Sequence, residues 1–342
     1  MNVTVHQRPG VYSAYDASSV VSGSGAGKQV GLVAVNAKAA ANEVKIVTSY
    51  DGAVNAFGQG TMAELVRLAL KNGAGAVAAV PIAGGEGYAD GFAALEGLED
   101  ITAVICDSTD GDVQKAMKQS VETASANRRE RIAVAAGGTG ETVDQLIARA
   151  KALNHERVVL VAPGGVNQNG EAADGLGVAA AVAGAIAGES DPAVPLGGAV
   201  LTGLYGLSGR YSDGEMDRLI LGGVTPVESL AGTVGVVRGV TTRTTTGEAA
   251  DATWRDLTTI RIVDDVIPTL RRALRTKFQR AKNTAQSRGA IRAQVVLELE
   301  NKKAREIITG YENVTVTAQP GKTAGACVDT VQVNICTGHA AH

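Results

Sequence analysis

A chain of 342 residues has room for two domains and a sizeable core, and an apolar content of 45% makes it a folded protein. Only 3% of residues are aromatic against 43 glycines, so Ala, Val, Leu and Ile must build the interior, which suits close α/β layers. The net charge of −3 disfavours a general nucleic-acid coat. Three cysteines without a CxxC pair argue against a zinc site or disulfide framework, and the longest small-apolar run, 175–188, is too short for a bilayer. That run predicts a buried helix. The first ten residues lack an apolar signal core, so synthesis in the cytoplasm is the expectation.

At the start of the chain Met1, Val3 and Val5 alternate with Asn2, Thr4 and His6, the period of a half-buried strand, before Pro9 and Gly10 interrupt it. The run SGSGAGK at 22–28 resembles a phosphate loop, yet Ser22 stands where the first glycine belongs and Gln29 replaces the hydroxyl residue. It also precedes a strand instead of opening a helix. Gly23, Gly25 and Gly27 therefore read as a connector.

Strands are predicted at 31–35, 44–47, 76–80, 101–106, 131–136 and 157–162. Helices are predicted from Met62 to a stop at Gly73, from Val113, and from Thr142. This alternation predicts a mixed, largely parallel sheet layered with helices. Gly/Pro-rich turns follow over 191–226 and a Thr-rich stretch over 239–254. A strand is then expected at 257–263, a long helix over 264–283 with Asp264 and Asp265 at its positive dipole end, and a second helix near 290–308. The last segment, TVQVNI, puts Val331, Val333 and Ile335 on one face and Thr330, Gln332 and Asn334 on the other. A lone strand needs a sheet. The pattern leaves open whether these terminal arms fold back or join another copy.

Chemistry-bearing clusters are scarce. His6, His339 and His342 lie on the arms, and His155 in NHER reads as a surface residue. DSTDGD at 107–112 and NQNG at 167–170 read as turns. No enzyme activity, cofactor or metal is expected. One charge feature stands out: residues 266–297 carry Arg271, Arg272, Arg275, Lys277, Arg280, Lys282, Arg288 and Arg292 with no acid, so this window is +8 and the remainder −11. A solvated helix face, a nucleic-acid contact and an acidic protein partner all fit the charge.

Several blocks, in order, resemble the sheath proteins of contractile phage tails, phage-tail-like bacteriocins and contractile injection systems. They are RPGVY at 8–12, VTSYDGAVNAFGQG at 47–60, RRERIAV at 128–134, HERVVLVAPG at 155–164, the Ala/Gly-rich 179–204, VVRGVTTRT at 236–244 and 254–278. The resemblance implies a structural subunit that polymerises around an inner tube, exchanges strands with its neighbours and contracts to drive the tube through a target envelope. It divides the chain into an N-terminal arm and linker (1–22), an α/β body (23–235), a smaller α+β C-terminal domain (236–318), and a C-terminal linker and arm (319–342). Intersubunit strands would carry Val3, Val5, Val11, Tyr12, Val331, Val333 and Ile335. A tube-facing helix would present Arg271, Arg272, Arg275, Lys277, Arg280 and Lys282. Hinges would lie at Gly23, Gly25, Gly27, Pro320, Gly321 and Gly325. The implied partners are further copies in stacked, hexameric rings, the inner tube, baseplate and tail-terminator proteins, with no membrane insertion and nucleic acid disfavoured. A nucleotide-binding α/β enzyme is the alternative reading.

Overall fold

The structure, a computed structural model, describes residues 29–279, 281, 284–318 and 329–336. The chain divides into two compact units, one of 26–190 and 194–257, the other containing 258–342. In order, the first unit contains β1 (Gln29–Val35), β2 (Lys45–Val47), α1 (Tyr50–Phe57), α2 (Thr61–Lys71), β3 (Ala76–Ile82), α3 (Tyr88–Glu96), β4 (Ile101–Cys106) and α4 (Gly111–Ala126). It continues with β5 (Ile132–Ala136), α5 (Val143–Leu153), β6 (Val158–Ala162), α6 (Leu176–Gly188), β7 (Val200–Leu201), α7 (Asp213–Leu221), β8 (Thr225–Leu230), β9 (Thr233–Val236), β10 (Thr245–Thr246) and β11 (Ala249–Ala250). All six strands and all three helices expected from periodicity in this region are present.

Nine strands form one sheet in the order β2-β3-β1-β4-β5-β6-β8-β9-β7. The run from β3 to β8 is parallel, and β2, β9 and β7 are antiparallel at the two margins. Parallel strands buried on both faces read as continuous apolar runs, and β3, β5 and β6 are buried at every residue. Helices α3, α4, α5 and α7 pack on one face of the sheet and α2 and α6 on the other. Val33, Val80, Ile82, Val104, Ala135 and Leu160 face the first layer with Phe92, Met117 and Leu146. Strand alternation turns Leu32, Val77, Ala79 and Val161 the other way.

Caps set the helix ends. The Asp110 side chain accepts the N–H groups of Asp112 and Val113 at the start of α4, so the strand-to-helix turn expected at 107–112 also supplies a helix cap. Thr142 and Gln145 form a reciprocal capping box on α5. Asn167 Oδ1 accepts the N–H groups of Asn169 and Glu171, closing the NQNG turn.

Helix α6 is the buried helix predicted from its small residues. Its glycines permit close packing on α2: a Cβ on Gly184 would lie 2.3 Å from the Ala69 carbonyl oxygen, and one on Gly188 would lie 2.8 Å from the Gly73 Cα. Composition and packing meet here.

The second unit contains α8 (Leu257–Phe278, its first residue counted with the first unit), α9 (Ala285–Ala304), β12 (Gly310–Ala318) and β13 (Asp329–Cys336). The strand expected at 257–263 is instead the opening of α8, which also ends earlier than expected, and α9 lies a few residues earlier than predicted. The run 258–263, β-branched at every position but Arg261, carries strand propensity, but every residue of it is buried, so no alternation separates strand from helix. Tertiary packing overrides propensity there. Asp264 and Asp265 are consequently interior to the helix, not at its dipole end.

Candidate assembly surfaces

The sheet's topology points first to a ligand site, because open parallel sheets bind ligands beyond their strand C-termini where the order reverses, here beside β1 and β4. Asp107 occupies that position. Its Oδ2 accepts the Val35 N–H at 2.9 Å and its Oδ1 accepts the Tyr88 hydroxyl at 2.6 Å. Burial, with the bond to Asp107, pushes the Tyr88 phenol well above its usual range, so it remains a donor. The carboxylate is committed to holding β1, β4 and α3 together. A cleft of about 250 Å³ lies beside Glu141 and Arg149. Those two side chains are engaged with each other, and Arg149 also donates to the Thr109 carbonyl and Gln114.

His155 was expected on the surface, but its side chain is only 17% exposed and its Nε2 lies 3.0 Å from Glu122 Oε1. The flanking Asn154 adopts a left-handed conformation after α5, which turns the histidine inward.

In the second unit, β12 and β13 form a two-stranded antiparallel sheet, with Tyr311 opposite Ile335 and Val316 opposite Val331. Among the described residues, neither strand pairs with any other, so both outer edges carry unpaired ladder positions. Of the arm residues, Ile335 is buried and Gln332 exposed, while Thr330, Val331, Val333 and Asn334 are all half-buried, so the two faces expected from the sequence differ only at Gln332 and Ile335. Within the single chain this terminal strand thus closes on its own β12. Thr309 adds a backbone and a hydroxyl bond to the Cys336 carbonyl. A bulge between Glu312 and Thr315 turns Val314 inward, and the Val314 carbonyl accepts from Arg292 Nε at 2.9 Å. Tyr311 reaches Glu300 on α9 at 2.6 Å.

The basic window divides by role. Arg292 fastens α9 to β12, and Lys277 donates to Gln294 Oε1 at 2.6 Å, tying α8 to α9. Arg271 is half-buried. Arg272 and Arg275 are exposed on the last turns of α8. Val3, Val5, Val11, Tyr12, Gly23, Gly25, Gly27, Arg280, Lys282, Pro320, Gly321 and Gly325 lie outside the described residues, as does Cys327.

Sequence reasoning missed one anchor of this unit. Lys302 Nζ lies 2.7 Å from Asp265 Oδ2 and 3.2 Å from Thr269 Oγ1, with both charged side chains almost wholly buried. Burial pushes the Asp265 carboxyl upward against the opposing pull of Lys302. Asp265 and Thr269 stand four residues apart on one face of the helix expected over 264–283, but nothing local marks Lys302, 37 residues further on, as their partner.

Carboxylates engaged in packing near the strand ends and a two-stranded sheet with open edges are thus the features that this α/β fold presents. The chain matches the family models for the phage tail sheath protein central domain over 82–242 and the phage tail sheath C-terminal domain over 249–337, and it belongs to the phage tail sheath family. Solved structures agree in fold. The sheath tail protein of Desulfitobacterium hafniense is 13% identical with a TM-score of 0.72, covering 96% of this chain and 100% of its own. The anti-feeding prophage helical sheath in its contracted state is 17% identical with a TM-score of 0.71, covering 99% and 98%. The contracted sheath of an extracellular contractile injection system, PVC, is 18% identical with a TM-score of 0.67, covering 99% and 96%. A search of curated proteins finds no match.

Proposed function

We propose that this chain polymerises into stacked rings around an inner tube and shortens collectively to drive that tube through a target envelope. The observation that carries the reading is the β12–β13 pair. Residues 319–328, which join the two strands, could span up to about 35 Å when extended. The same ladder can therefore be completed by β13 of another copy, an exchange that keeps subunits linked through main-chain hydrogen bonds while their bodies reorient. The N-terminal arm, with Val3, Val5, Val11 and Tyr12, supplies a further strand for an open edge. Hinges at Gly23, Gly25, Gly27, Pro320, Gly321 and Gly325 let both arms leave the body, and the domain limits are those at residues 22, 235 and 318.

The basic end of α8, with Arg271, Arg272, Arg275, Lys277, Arg280 and Lys282, faces an acidic tube surface. Exposure of Arg272 and Arg275 supports this. A chain of similar fold, 18% identical with a TM-score of 0.69, occurs in the six-fold symmetrised baseplate of the anti-feeding prophage, which supports hexameric rings and a baseplate partner. A tail-terminator protein closes the far end, and the particle is a phage tail or a phage-tail-like device. Electron microscopy of the purified chain tests the reading: regular tubes or rings are expected, and a population of monomers at every concentration would overturn it.

A further inference from the structure

Residues 241–246 run as a strap over the start of β6. The Thr242 N–H donates to the Val158 carbonyl at 2.8 Å, and the Thr242 hydroxyl accepts the His155 N–H at 3.0 Å. Asn154 Oδ1 accepts the N–H groups of Thr244 and Thr245, while its Nδ2 donates to the Thr245 carbonyl. Arg243 completes the strap with one Nη on Glu156 Oε2 at 2.7 Å and the other on the Thr246 hydroxyl at 2.9 Å.

His155 lies beneath this strap in a defined protonation state. Its Nδ1 accepts the Arg157 N–H at 3.0 Å, so Nδ1 carries no proton and the neutral ring holds its hydrogen on Nε2. Nε2 faces Glu122 Oε1 at 3.0 Å and Glu156 Oε2 at 3.9 Å. The charged groups around the ring are Lys118 and Glu122 from α4, Glu156 and Arg157 at the start of β6, and Arg243 from the strap. Lys118 is held by the Leu153 carbonyl at 2.9 Å and stands 3.8 Å from Glu122.

We propose that His155 is a proton-operated latch for this strap. A proton taken from solvent onto Nδ1 removes the acceptor for the Arg157 N–H. The imidazolium then competes with Arg243 for Glu156, and the strap loses its charged anchor.

Burial disfavours the charged ring more than Glu156 and Glu122 favour it, so the pKa of His155 lies below the ordinary histidine value. A depressed value means that the closed strap binds the proton less readily than the open one. Closure is therefore fully supported above about pH 6.5 and is lost as pH falls below it.

Hydrogen exchange on the full chain tests the latch, using the amides of Thr242, Thr244 and Thr245 corrected for intrinsic pH effects. Between about pH 7.5 and about pH 5 their protection should fall at least about tenfold, while amides of α6 remain protected. His155→Gln, which stays neutral, should abolish the difference. Arg243→Ala should lower protection at both pH values. Unchanged protection at about pH 5 would overturn the proposal, and so would an equal loss in His155→Gln. Nitrogen NMR of the imidazole gives an independent reading: a bare Nδ1 at neutral pH supports the latch, and a proton on Nδ1 refutes it.

Discussion

Two ion pairs, one buried and one partly exposed, have different consequences for single substitutions. Lys302 and Asp265 are almost fully removed from water, so Lys302→Met leaves a buried carboxylate without its counter-ion and should cost about 3–5 kcal/mol in urea unfolding. Replacing both, as Asp265→Leu with Lys302→Met, should recover most of that loss, because desolvation then disappears with the charge. Glu141 responds to pH. Burial opposes its carboxylate, yet Arg149 and the Gly138 N–H outweigh burial and hold its pKa below the usual range. The folded state therefore binds this proton less readily than the unfolded state does, so its stabilisation is complete above about pH 4.3 and fades as pH falls further. Glu141→Gln should flatten that acid limb in thermal scans. Neither pair was legible beforehand, since ionic partners 37 and 8 residues apart meet only through the fold.

Among the elements, glycine has opposite meanings in two helices. At Gly184 in α6 the added Cβ meets the Ala69 carbonyl, so Gly184→Val forces α2 and α6 apart and should lower stability by about 1–3 kcal/mol in thermal melts. At Gly289 in α9 an added Cβ meets nothing, so Gly289→Ala should raise stability by up to about 1 kcal/mol through helix propensity alone. Strands β4, β5 and β6 are readable as short, continuous apolar runs rich in Val and Ile, and helix α5 from its clean period and its local cap, Thr142 with Gln145. The opening of α8 was misread as a strand because a fully buried stretch presents no alternation, and β-branched residues such as Ile260 and Val263 tilt the balance toward strand.

For the whole molecule, the decisive test separates folding from assembly. Deleting residues 327–342 removes β13 and should leave a soluble, folded subunit that forms no tubes by electron microscopy. Long tubes from that truncation would refute strand exchange. Arg272→Glu with Arg275→Glu reverses exposed charges that fasten no described element, so co-sedimentation with inner tube should fall while sheath self-association persists; equal loss of both would remove α8 from the tube interface. Fold similarity at TM-scores near 0.7 with identities of 12–18% shows how little of this architecture depends on particular side chains.

By itself the sequence determined the alternation of apolar strands and amphipathic helices, the buried small-residue helix α6, and the extended conformation of the terminal strand, because each depends on neighbours within a few residues. Only the tertiary structure decided that β13 ladders with β12 in this chain, that Asp265 is a buried ion-pair partner, and that His155 lies under a threonine strap. Those outcomes depend on which distant segments exclude water from one another, and burial is a property of the folded assembly of segments, not of any one of them.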